Sequence, residues 1–252
     1  MKINRKILVP LTIVLLSALP AMTRAQEDTP DATNSDSDQN AITSDSDTNA
    51  PPTLKELMTN SDEVTNTVGI VLVKISPGLW AGKYEVTQDA YQKVMGSNPS
   101  TFQGGNHPVD SVTWNDAMAF CKKLTEKEQK TDELPDGYIY TLPTQAQWER
   151  LVDDASLNDA VMSLNLPRRS STAPVGSLGP NSLGLYDTRG NVMEWCLDAH
   201  DPSYHVLRGG GWDTISEPSS RLESRWFAHL GDAPRNDFGF RVVLEPKPET
   251  SP

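Results

Sequence analysis

The sequence predicts a mixed α/β (α+β) domain whose first half is regular and whose second half has little regular secondary structure. Three observations predict it. β-branched residues crowd positions 64–75, and three threonines at 87, 113 and 144 each precede an amphipathic run. After Pro167 glycine, proline, asparagine and aspartate recur every few residues, and no helical or strand period persists for long.

The chain opens with Lys2, Arg5 and Lys6, then the apolar run Ile7 to Leu19, then Thr23-Arg24-Ala25. That charged, apolar and small-residue order is that of a secretory signal, here residues 1–25. The competing reading, an uncleaved membrane anchor, is disfavoured because the run is short of the ~20 apolar residues a spanning helix needs and contains Pro10. No later segment approaches that length, so no membrane span is expected once the signal is removed. No cysteine lies near the cleavage region to carry a lipid, which points to a secreted or periplasmic protein.

The formal net charge is −12, and loss of Lys2, Arg5, Lys6 and Arg24 with the signal takes it to −16. A surface this acidic, with no cluster of lysine and arginine, excludes a nucleic-acid partner, whose phosphates need a basic patch. Residues 26–53 hold mainly Asp, Ser, Thr, Asn and Pro, too little apolar surface to offset the entropy of ordering, and form a disordered acidic linker. Their Ser-Asp repeats lack the glycine and terminal glutamate of a Ca²⁺ loop. Residues 54–246, long enough for one domain with its own core, follow, and 247–252 are a polar tail.

Within the domain, Val64 to Ile75 reads as one or two strands closed by Pro77-Gly78. Thr87 caps a helix over Gln88 to Met95, with Ala90, Tyr91 and Val94 on one face and Gly96 as its stop. Thr113 and Asp116 cap a second, longer helix carrying Ala117, Phe120, Cys121 and Leu124 at helical spacing. Thr144 and Gln147 cap a third, with Trp148, Leu151 and Val152 as its buried face. Phe238 to Leu244 reads as a last strand entering the core.

Short phrases spread through the domain carry a family resemblance. They include Tyr84-Glu85-Val86-Thr87, Gly96-Ser97-Asn98-Pro99-Ser100, Trp114-Asn115-Asp116-Ala117, Leu142-Pro143-Thr144, and Gly184-Leu185-Tyr186-Asp187. Gly190-Asn191-Val192, Glu194-Trp195, Leu207-Arg208-Gly209-Gly210 and Gly239-Phe240-Arg241 complete the series. Together, and in this order, they resemble the sulfatase-modifying-factor family, the formylglycine-generating enzymes. The resemblance implies a single compact α/β domain with little regular secondary structure, distantly similar to C-type lectins.

Family enzymes oxidise a substrate cysteine with O₂ through two active-site cysteines and, in aerobic members, a copper ion held by thiolates. Soft sulfur suits Cu(I), and a hydroxyl does not replace it. The positions matching those cysteines are Thr214 and Ser219, so copper is not expected. Gly211 and Met193 also depart from the catalytic pattern. The two cysteines present, Cys121 and Cys196, lie elsewhere; they are either buried, hydrophobe-like thiols or, in an oxidising compartment, a candidate disulfide.

The same resemblance implies a Ca²⁺ site with the side chains of Asp187 and Glu194 and the main-chain carbonyls of Gly190 and Val192 as ligands, the alternative being an acidic loop without an ion. The stretch for a second ion, around Ala155 to Thr172, is short, so one ion at most is expected. His107, His200, His205 and His229 show no paired metal spacing. Arg221, Arg225, Arg235 and Arg241 read as partners of carboxylates and carbonyls that hold the loops, with an anion-binding groove as the sharper alternative.

Intact structural phrases beside missing thiols lead to an exported, non-catalytic module that binds a protein segment or glycan. The alternatives are a divergent metal-dependent oxidase or sulfatase-maturation enzyme, and a purely structural envelope component.

Overall fold

The computed structural model describes residues 51–165, 167–201, 203–216, 226–229 (backbone only) and 234–248. The signal, the linker up to residue 50, residues 249–252 of the tail, Ser219, Arg221 and Arg225 lie outside the described residues.

Elements follow the order α1 (Leu54–Asn60), β1 (Glu63–Thr65), β2 (Val71–Ser76), β3 (Leu79–Gly82), α2 (Gln88–Met95), α3 (Trp114–Lys130), β4 (Tyr138–Thr141) and α4 (Gln145–Val152). After a 3₁₀ turn come β5 (Met193–Asp201), β6 (Tyr204–Arg208), β7 (Trp226–His229), β8 (Phe238–Gly239) and β9 (Val243–Pro246). One antiparallel sheet has the order β1-β2-β3-β9-β4, and a second has the order β7-β6-β5-β8 with β5 and β8 parallel.

The three helices read from the sequence form where their caps stand. Thr87, Thr113 and Thr144 each accept a backbone N–H two or three residues into the helix, and Gly96 ends α2 in the left-handed region at φ +82. Helix α1 uses the same device, a Thr53–Glu56 capping box whose sequence signal stands beside the acidic linker.

Irregular structure dominates the second half, as expected, but it also holds the nine-residue strand β5 and its hairpin partner β6, which the sequence did not mark. β5 shows no alternation because Met193, Glu194, Trp195 and Cys196 are all buried, so both of its faces are covered. The final strand is broken into β8 and β9.

The main core gathers the buried face of α3, namely Ala117, Phe120, Cys121 and Leu124, with Tyr91, Trp80, Trp195, Phe238 and Phe240. Phe120 packs edge-on against Phe240 and stacks on Tyr91, which joins α2, α3 and the β8–β9 connection. At the far end of α3 the buried Glu128 accepts the Tyr140 hydroxyl at 2.7 Å and, from Thr67, the hydroxyl at 2.8 Å and the N–H at 3.1 Å.

A buried ion pair ties the two sheets. Arg241, between β8 and β9, donates from Nε and Nη2 to Glu194 Oε1 on β5 at 3.1 and 2.9 Å. Its Nη1 donates to the Gly82 carbonyl at the end of β3 at 2.7 Å, and Nη2 to the Tyr186 carbonyl at 2.6 Å. Trp148 of α4 donates its indole N–H to Glu194 Oε2 at 2.9 Å. Both charged side chains are at most 1% exposed, so each is held by its partners rather than by water.

Two consequences can be measured. Replacing Arg241 with Met leaves Glu194 charged and buried, and the expected loss is about 3–5 kcal/mol in urea unfolding; adding Glu194→Gln in the same chain recovers part of it. An additive result for the double variant would show that the two residues do not act as a pair. For Glu128, burial lifts the carboxyl above its ordinary value of 4.5 despite its hydrogen bonds. As pH rises from there, the unfolded chain releases this proton first, so stability falls until the folded carboxyl also ionises. The unfolding free-energy difference between wild type and Glu128→Gln should therefore change as pH rises through and above 4.5. A flat difference would mean that Glu128 does not titrate with folding.

Candidate functional site

The loop from Asp187 to Val192 leads into β5 with three residues in the left-handed region: Asp187 at φ +52, Gly190 at φ +84 and Asn191 at φ +61. At Gly190 a side chain is excluded, because a Cβ would lie 2.7 Å from the Val161 carbonyl oxygen. Asn191 tolerates its conformation because its groups are tied in five directions. Its Nδ2 donates to Glu85 Oε2 at 2.7 Å and to the Ala173 carbonyl at 3.2 Å, and its Oδ1 accepts the Ala173 N–H at 2.9 Å. Its own N–H donates to the Val161 carbonyl, and its carbonyl accepts the Trp212 N–H.

Glu85 is the hub's second member, fully buried, with Oε1 accepting the Val192 N–H at 3.0 Å. Burial, and then the nearby Asp187 and Glu194 carboxylates, push its carboxyl well above the usual range. Its sequence signal was confined to membership of the Tyr84-Glu85 phrase, since no spacing links residue 85 to residue 191.

Of the four residues expected to hold calcium, Asp187 and Glu194 are both buried carboxylates. Asp187 Oδ2 accepts the Gly176 N–H at 2.6 Å. Burial is the largest influence raising the Asp187 carboxyl, while Arg241 opposes it. Glu194 shares its oxygens with Trp148 and Arg241, so an ion at this loop would have to share that carboxylate with a guanidinium. Oxygen donors on a tight loop suit a hard cation, and the buried carboxyl groups of Glu85, Asp187 and Glu194 lie near the buried guanidinium of Arg241. Among the described residues no group of three His, Cys, Asp or Glu side chains could hold a metal by itself.

At Thr214, expected from the resemblance to match a catalytic cysteine, the hydroxyl accepts the Gly211 N–H at 3.0 Å, while the Thr214 N–H donates to the Gly211 carbonyl at 3.0 Å. The residue closes a local turn. Gly211 is packed against Asp237, where a Cβ would meet the aspartate Cβ at 3.0 Å. A cavity of about 170 Å³ opens here, lined by Met193, Asp213, Thr214, Ile215, Arg235 and Phe238 among others. Arg235 forks onto Asp237 at 2.8 and 3.0 Å and lies 3.5 Å from Asp213. Ile215 is 62% exposed on its rim, an apolar side chain left in water.

The two cysteines are buried free thiols: Cys121 sits in the main core, and Cys196 packs with Trp148, Val152 and Val206. Burial raises both thiols, the opposite of what a thiolate nucleophile or copper ligand needs. Of the histidines, His107 pairs with the Thr172 hydroxyl and His205 stacks on Trp114 at 3.8 Å, while His200 is exposed. The His229 side chain lies outside the described residues. Arg235 and Arg241 both act as carboxylate partners. Among the described residues no helix is long and apolar enough to cross a membrane.

The sequence matches the sulfatase-modifying factor enzyme 1-like domain over residues 57–246. It is 31% identical over 223 residues to the chaperone protein LppX of Paenibacillus barcinonensis, a match covering 65% of this chain and 79% of that protein. It is 28% identical over 157 residues to the inactive C-alpha-formylglycine-generating enzyme 2 of Mus musculus, covering 54% of this chain and 48% of the relative. The chain spans about half the length of the formylglycine-generating relatives it matches. Among solved structures, Treponema denticola variable protein 1 superposes with a TM-score of 0.58 at 28% identity, covering 67% of this chain and 84% of that one. With its left-handed Asp187–Asn191 loop, its Arg241–Glu194 tie and a domain match over 57–246, this chain belongs to the sulfatase-modifying-factor, formylglycine-generating-enzyme-like family.

Proposed function

We propose that this chain is an exported, non-catalytic member of its family that binds a protein segment or glycan in the groove beside Thr214. The observation that carries this reading is the state of the position where the family enzymes place a thiolate. Thr214 has no sulfur to hold copper, and its hydroxyl is engaged by the Gly211 N–H. The remaining thiols are buried away from it. A groove with an exposed isoleucine and paired charges is suited to recognition rather than to oxidation. An inactive mammalian relative and a relative named as a chaperone support the same reading. Export rests on the N-terminal order of charge and apolarity in residues 1–25.

The decisive assay incubates the purified protein, with and without copper, with a sulfatase-type Cys-x-Pro-x-Arg peptide. No formylglycine is expected, and turnover would overturn the non-catalytic reading. A pull-down from co-exported proteins and a glycan array should yield a ligand whose binding is lost in Ile215→Glu, a change at an exposed position with little effect on stability. Binding unaffected by Ile215→Glu would move the site elsewhere on the molecule.

A structural calcium ion is the second part of the proposal. The reading rests on two buried carboxyl groups, Asp187 and Glu194, at the two ends of a tight loop with left-handed backbone at Asp187, Gly190 and Asn191. Asp187 and Glu194, with the carbonyls of Gly190 and Val192, would hold it. The expected result is an increase in Tm on adding calcium to chelator-treated protein, reduced in Asp187→Asn. An unchanged Tm, with no calcium found by elemental analysis, would leave the loop to Arg241 alone.

A further inference from the structure

Between α1, the β2–β3 hairpin and the start of β4 lies a cavity of about 540 Å³ lined by Lys55, Met58, Lys74, Trp80, Pro135 and Tyr138 among others. Its wall holds an unused hydrogen-bond donor. Trp114, Trp148, Trp195 and Trp212 each donate the indole N–H to a protein oxygen at 2.9–3.1 Å, as tryptophans withdrawn from water ordinarily do. The Trp80 side chain is 3% exposed, yet its N–H has no acceptor among the described residues. That nitrogen is not sealed from solvent, so the small opening of this residue includes it. The half-buried Tyr138 hydroxyl also makes no hydrogen bond among the described residues, and it lies beside Gly78, which lines the same cavity. A ligand that brings an acceptor to the indole would supply the bond the fold leaves unmade.

The charge of the lining narrows the ligand. Lys55 and Lys74 each bring an ammonium group with three donors. Their protein partners, Asp132 and Asp62, have side chains 79% and 87% exposed, and pairs so open to water contribute little, so either ammonium can share a second carboxylate. Lys74 Nζ stands 6.0 Å from the centre of the Trp80 ring, which brings an ammonium and the indole to one end of the cavity. Glu56, the single acidic residue of the lining, is engaged in the α1 capping box, where its carboxylate accepts the Thr53 N–H at 2.8 Å. Two ammonium groups against one engaged carboxylate make this lining positive in a chain whose net charge is −12. Met58, Pro135 and the rings of Trp80 and Tyr138 supply apolar surface, and the volume falls in the range of small-molecule pockets.

We propose that this cavity binds a small amphipathic carboxylate, an alkyl chain ending in a carboxylate group. The carboxylate accepts the Trp80 N–H and meets the Lys74 ammonium, while the chain lies against Met58, Pro135 and Tyr138. A neutral acceptor of the same length would use the indole but leave the lysines unanswered, and a cation would meet like charge. The cavity shares no residue with the groove beside Thr214, so this reading stands or falls separately from that one.

The test is a titration of the purified protein at low salt with octanoate, octan-1-ol, octylammonium and acetate. Calorimetry gives the affinity, and the assigned Trp80 indole N–H resonance locates the site. Octanoate should bind saturably and move that resonance; octanol should bind about tenfold more weakly, and neither octylammonium nor acetate should bind. Lys74→Gln, which removes an exposed ion pair, should weaken octanoate roughly threefold while leaving Tm unchanged. Equal affinity for octanoate and octanol, a Trp80 resonance that stays in place, or an unaltered affinity in Lys74→Gln would each overturn the proposal, as would no binding at all.

Discussion

The buried pair of Arg241 and Glu194 is the interaction on which the rest of this structure depends. A guanidinium has five N–H donors in a fixed plane, and here they reach one carboxylate and two backbone carbonyls from three separate segments. Through Glu194 and the Trp148 indole the same contact extends to α4. A chain whose second half has few long elements needs such ties, because loops present many backbone groups that only side chains can satisfy. Burial makes the tie specific: with almost no exposure, neither charge can be solvated if its partner is misplaced.

Around that pair the fold concentrates negative charge. Glu85 and Asp187 are buried near Glu194, and their mutual repulsion with desolvation raises Glu85 well above the usual carboxylate range. Left-handed backbone at Asp187, Gly190 and Asn191 turns the loop so that Asn191 can join Glu85, Ala173 and Val161. Conformational strain at these positions is offset by the hydrogen bonds that the turned loop makes. The region thus gathers buried carboxyl groups around Arg241, with the loop that carries Asp187 tied through Asn191.

Thr214, where the family resemblance implies the first catalytic cysteine, lies in surroundings of a different character. Thr214 closes a turn with Gly211, and Arg235 braces Asp237 beside it. The two cysteine sulfurs are buried elsewhere, Cys121 in the main core and Cys196 beside Trp148, Val152 and Val206. A scaffold can keep its shape under these substitutions because its ties run through Arg241, Asn191 and the aromatic core rather than through sulfur.

Much of the first half was legible in the sequence. Caps at Thr87, Thr113 and Thr144 are local signals, since a hydroxyl and the N–H it accepts lie within three residues of each other. The loss of thiols at 214 and 219 was equally plain, because it depends on residue identity alone. β5 was hidden by its burial on both faces, which erased the alternation that marks a strand, and by Glu194, whose burial depends on its distant partner Arg241. Sequence by itself determined helices α2, α3 and α4 and the family resemblance, both carried by neighbouring residues or by side-chain identity. Only the tertiary structure decided which charges are paired and that Glu85 joins Asn191. Those are relations between residues as much as 159 positions apart, and no local pattern encodes them.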